Sequence, residues 1–125
     1  MPKRIFISFA IEDATFRDFL VGQAKNDNSP FEFVDMSVKE PWDNSWKTRC
    51  RTRIKGCDGM IALLSKNTSK ADGAIWEMKC AVDEGVAILP VHIYKDNKGV
   101  VPSVLAGTPD IEWGWPAIRA FIDSL

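Results

Sequence analysis

A chain of 125 residues, 46% of them apolar and with five Trp and seven Phe, can bury a hydrophobic core and is too apolar for intrinsic disorder. Its length fits one domain spanning residues 1–125. Sixteen basic and seventeen acidic residues leave a net charge of −1, which excludes the broad positive field expected of a nucleic-acid or membrane-surface binder.

Residues 4–9 are an apolar run of the kind found in strands buried on both faces. Glu12 and Asp13 end it too soon for a signal peptide. Phe16, Phe19 and Leu20 are spaced for one face of a helix that Asp13 or Thr15 would cap. The turn-rich residues 26–30 lead into a weaker strand at 31–34, and a long polar loop runs from Asp35 to Trp46. Trp46, Cys50 and Ile54, with Cys57 three residues on, mark the buried line of a second helix. Residues 59–64 are wholly apolar and predict a third strand.

Asp72 or Gly73 opens a helix with Ile75, Met78 and Val82 on its buried face, and Gly85 stands where a left-handed cap belongs. Residues 86–94 predict a fourth strand, although Pro90 cannot donate to a ladder. Residues 100–111 contain Pro102, Gly107 and Pro109 and predict a loop with a short edge strand. A last helix runs from Trp115-Pro116 to Leu125, with proline in its first turn. The alternation predicts a doubly wound, flavodoxin-like α/β fold: a parallel sheet of four to five strands with helices on both faces.

No apolar run is long enough to span a membrane. Cys50, Cys57 and Cys80 form no C-x-x-C pair, and His92 is the one histidine. No zinc site is expected from them; reduced thiols in the cytoplasm are. His92 lies within an apolar strand and reads as a core histidine, so no Ser-His-Asp set is expected. No phosphate-binding glycine motif is present. Lys47, Arg49, Arg51, Arg53 and Lys55 read first as a solvated helix face, and second as a stripe that attracts a diphosphate or an acidic partner.

Ligands of an open parallel sheet sit beyond the carboxyl ends of its strands. Here those ends are residues 8–13, 35–46, 65–77 and 94–97. From the residues alone, Glu77 is a surface glutamate in the first turns of a helix, Asp13 a helix cap, and Phe9 and Trp46 core aromatics. Trp42 precedes the second helix and is placed to stack on a base or meet a partner.

Arg4-Ile5-Phe6-Ile7-Ser8-Phe9, followed by Glu12-Asp13, resembles the first conserved box of Toll/interleukin-1 receptor (TIR) domains. Residues 54–65 and Thr68 resemble the helix-to-strand join of that family. Residues 76–91 resemble its third-helix segment and following strand, with Glu77 eight residues before Gly85. The nearest subgroup is that of bacterial and archaeal TIR-like domains, including the ThsB component of the Thoeris antiphage system. The resemblance covers almost the whole chain. One departure is Gly73, which stands where many TIR enzymes have a tryptophan; Trp76 is adjacent to Glu77 instead, about 100° away around a helix.

The resemblance implies cleavage of NAD+ at its nicotinamide–ribose bond, with Glu77 as the catalytic carboxylate. It also implies NAD+ as substrate rather than cofactor, no metal, and an ADP-ribose-type product that signals to a downstream effector in antiphage defence. Ser8, Phe9, Asp13, Asp35, Trp42 and Trp76 are the implied substrate-binding residues. Self-association or pairing with other TIR-like chains is the implied assembly. A near-surface Glu77 predicts that Glu77→Gln changes stability by about 1 kcal/mol or less. The alternative is a non-enzymatic TIR-like interaction module, assembling with other TIR domains through the loop at 37–45 and the neighbouring helices. A two-component receiver ranks last, because Leu64-Ser65 stands where its phosphorylated aspartate is needed.

Overall fold

The apolar runs become neighbouring strands in a computed structural model that describes residues 3–27, 31–34, 44–94 and 101–125. They are β1 (Lys3–Ser8), β2 (Phe31–Val34), β3 (Gly59–Leu64), β4 (Ala87–His92) and β5 (Ile111–Glu112). The sheet is parallel throughout, in the order β2-β1-β3-β4-β5. Around it lie α1 (Ala14–Asn26), α2 (Asn44–Lys55), α3 (Asp72–Asp83) and α4 (Trp115–Asp123). This is the predicted doubly wound fold, with β5 as the short edge strand.

The two-residue period of a strand sorts the core into two layers. Ile5, Ile7, Ile61, Leu63 and Val91 pack with Leu20 of α1 and with Ile118 and Ile122 of α4. Phe6, Met60, Ala62 and Leu64 point the other way, to Trp46, Cys50 and Ile54 of α2 and Met78 and Ala81 of α3. Ser8 shares the second face with Phe6, so the end of β1 presents a hydroxyl to α3. The predicted α2 line of Trp46, Cys50, Ile54 and Cys57 is buried throughout.

Two helix faces differ from expectation. In α1 the buried residues are Leu20 and Ala24, while Phe19 is 56% exposed and meets Phe16 edge-on. In α3 the inward residues are Ala74, Glu77, Met78, Cys80 and Ala81, and Val82 is exposed. Small side chains let α3 approach the sheet and α2 closely. A pattern weighted by large apolar residues misses such a face.

Pro90 lies within β4 without breaking a ladder. Ile93 N–H donates to Leu64 C=O on the β3 side, and His92 C=O accepts from Trp113 N–H on the β5 side. Alternation therefore turns Pro90 towards β5, whose pairing begins only at Val91. The missing N–H of proline falls where no partner strand runs.

Gly85 ends α3 at φ 71°. Val86 N–H donates to Ala81 C=O at 2.9 Å and Gly85 N–H to Val82 C=O at 3.1 Å, the two bonds of a Schellman cap. No heavy atom lies within 4 Å of a Cβ added at Gly85, so the cost of Gly85→Ala is conformational. We expect a loss of about 1 kcal/mol in chemical denaturation.

Candidate functional site at the carboxyl ends of β1 and β3

The chain passes from β1 to β2 on one side and reaches β3 on the other. The β1/β3 boundary is thus the switch point, where the loops diverge and leave a crevice. Two buried polar clusters lie at these strand ends.

The first centres on Glu77, which is fully buried. The expected surface glutamate is corrected, because the close approach of α3 to β1 carries this side chain inward. A buried carboxylate needs donors. Ser8 Oγ lies 3.0 Å from Glu77 Oε1 and 3.1 Å from Ala74 C=O. Cys50 Sγ lies 3.7 Å from Glu77 Oε2. Each carboxylate oxygen therefore has a side-chain neighbour able to donate, one from β1 and one from α2.

The second cluster centres on Asp13, which is 1% exposed. It accepts from Ser65 Oγ at 2.5 Å and from Asn67 Nδ2 at 3.0 Å. Asn67 N–H donates to Ser65 Oγ at 3.0 Å, and Ser65 N–H donates to Thr68 Oγ1 at 2.9 Å. The expected capping role of Asp13 is corrected: its side chain makes no cap bond to α1. Its carboxylate instead ties the loop after β1 to the loop after β3.

Of the residues singled out in the sequence, Ser8 and Glu77 touch, and Asp13 lies at the same strand ends. The ring of Phe9 is in the core, with the Arg17 guanidinium 5.2 Å from its centroid. Phe9 and Glu12 also border a shallow depression of about 280 Å³ with Asp72, Gly73 and Ala74. Trp76 is half-buried, 5.5 Å from the Trp46 ring and 5.7 Å from the Arg51 guanidinium. With Lys47, Ile75 and Lys79 it borders a second depression of about 340 Å³. Asp35 and Trp42 lie outside the described residues. Within the basic stripe, Arg51 pairs with Glu84. His92 is buried, and its Nε2 pairs with Asp110.

Cys50, Ser65 and Asn67 are the participants that sequence reasoning missed. Cys50 was hidden because a thiol on an apolar helix line counts as core. Ser65, Asn67 and Thr68 carried a usable signal, a polar cluster directly after a wholly apolar strand. None of the three cysteines forms a disulfide, and all three are buried. Burial pushes the Cys57 thiol up to about 11 and also raises that of Cys80. At pH 8 iodoacetamide should therefore label native Cys57 about 100-fold more slowly than an unhindered cysteine; labelling before and after denaturation measures this. Among the described residues no three His, Cys, Asp or Glu side chains gather as metal ligands. Nor is any helix among them long and apolar enough to cross a membrane.

The comparisons with solved structures agree with this architecture. The TIR domain of the Toll-related receptor TRR-2 from Hydra magnipapillata superposes with a TM-score of 0.68 at 16% identity, over 96% of this chain and 91% of that one. A prokaryotic SEFIR domain gives 0.60 at 12% identity, over 98% and 88%. The TIR domains of the activated Roq1 resistosome give 0.52 at 19% identity, over 71% and 56%. No curated protein matches the sequence. The family model described as "Thoeris protein ThsB, TIR-like domain" matches residues 6–98, a stretch that runs from the β1 box through both polar clusters and β4. The chain belongs to the ThsB TIR-like domain family.

Proposed function

We propose that this TIR-like domain cleaves NAD+ at the nicotinamide–ribose bond and releases an ADP-ribose-type product that signals to an effector in antiphage defence. The observation that supports this most is the Glu77 carboxylate, set at the β1/β3 switch point between Ser8 and Cys50. Glycosidic cleavage passes through an oxocarbenium-like state. A fixed carboxylate beside the ribose stabilises that charge. Nicotinamide leaves as a neutral molecule, so no second acid is needed. In this reading Ser8 orients Glu77, and Asp13 ties the loops after β1 and β3 together. Trp76, half-buried beside its depression, is the aromatic contact proposed for the nucleotide, and Asp35 and Trp42, outside the described residues, are proposed as further contacts; the Phe9 ring, in the core, supports the strand end instead.

Glu77 is enclosed in the isolated chain. We therefore assign its exposure to assembly with further copies or other TIR-like chains. The same enclosure, together with Gly73 at the usual tryptophan position, favours the second reading, a non-enzymatic interaction module. Incubation with NAD+ across a range of protein concentrations, with products resolved by mass spectrometry, separates the two. The enzyme reading expects nicotinamide and a linear or cyclic ADP-ribose, with a rate per chain that rises with concentration. Intact NAD+ in assembled protein would favour the module.

A further inference from the structure

Resting on that reading of Glu77, we infer that Cys50 is a positioning residue for the carboxylate, acting from α2 on the oxygen that Ser8 does not reach. Three observations carry it. Cys50 Sγ lies 3.7 Å from Glu77 Oε2, within the range of a thiol hydrogen bond, and both residues are fully buried. Ser8 Oγ lies 3.0 Å from the other oxygen, so two different elements hold the two ends of the carboxylate. Ser8 also lies 3.1 Å from Ala74 C=O. A hydroxyl has one proton to donate, so Ser8 has an alternative acceptor whenever Glu77 is protonated.

The thiol therefore matters most for the charged form. An S–H donor aimed at a carboxylate favours its ionised state, and removing that donor favours the protonated one. Cys80, on α3 itself, also feels the charge of Glu77, but burial dominates its shift. Cys57 lies at the far end of the same α2 line, beside Arg4 and Asp58. It serves as the control for loss of a buried thiol.

The test uses full-length protein carrying 13C-labelled glutamate, with the Glu77 carboxyl resonance assigned by its loss in Glu77→Gln. In Cys50→Ala the pH midpoint of that resonance should rise by about half a unit. Cys50→Ser, which restores a donor, should bring it back towards wild type, and Cys57→Ala should leave it unmoved. Cys50→Val, close to cysteine in size and without a donor, replaces Cys50→Ala if the latter fails to fold. With NAD+, loss of the thiol should lower kcat several-fold with little change in KM, and Cys50→Ser should recover most of it. A Glu77 midpoint unchanged in both donor-free variants, or raised equally by Cys57→Ala, would overturn the inference. If wild type releases no nicotinamide while the midpoint still moves as expected, the catalytic reading fails and the positioning of Glu77 by Cys50 stands.

Discussion

Glu77→Gln should lower nicotinamide release by about 10²- to 10³-fold, through kcat, with KM little changed. Glutamine keeps the length of glutamate but lacks the negative charge that, in the proposed reaction, would face the developing oxocarbenium. An interaction made chiefly in the transition state shows in kcat. The fold should survive, and the structure supplies a reason different from the surface position first expected. The glutamine carbonyl can accept from Cys50, and its NH2 can donate to Ser8 Oγ, whose own proton turns to Ala74 C=O 3.1 Å away. Ser8 and Cys50 each keep a hydrogen-bond partner, so the stability change should stay at about 1 kcal/mol or less. Glu77→Ala lacks that compensation and opens a cavity, and should cost more, about 2–4 kcal/mol. Thermal melts of the two variants beside the activity assay separate lost chemistry from lost fold.

The largest expected stability effect is at Phe6. Its ring is fully buried in the layer between the sheet and α2 and α3, with Trp46, Met60 and Met78 in the same cluster. Phe6→Ala removes that burial and leaves a cavity, at about 3–5 kcal/mol. For a chain of this length the melting temperature should fall by roughly 10–20 °C. Phe19→Ala is the informative contrast. Phe19 is 56% exposed, so its loss should cost about 0.5 kcal/mol or less. Equal destabilisation by the two substitutions would contradict the description of the core.

The contrast between Phe6 and Phe19 also shows what the sequence revealed. Fully apolar runs such as residues 59–64 made the central strands legible, because a strand covered on both faces leaves no polar position. Gly85 was legible as a cap, since its left-handed backbone suits few other residues. Helix faces were less so. Phe16, Phe19 and Leu20 share a spacing that fits a buried stripe, yet the packing of α1 turns Phe19 outward. In α3 Met78 was legible as buried, but the rest of the inward face is alanine, cysteine and a glutamate, so Ile75 and Val82 misplaced its edges. The pairing of Ser8 with Glu77 joins residues 69 positions apart, and only the resemblance to TIR domains drew attention to both. Cys50 and the Asp13–Ser65–Asn67 cluster depend on how α2 and the loops pack at the strand ends. That is a tertiary property with no local periodicity.

The central claim is that the carboxylate held at the β1/β3 switch point breaks the nicotinamide–ribose bond. Its most direct test is nicotinamide release from NAD+ by wild type and Glu77→Gln, at matched concentration and matched assembly state. The account predicts release that is readily measured for wild type and at least about 100-fold slower for the variant, with both proteins folded. Equal, measurable release by the two would contradict it by removing Glu77 from the chemistry.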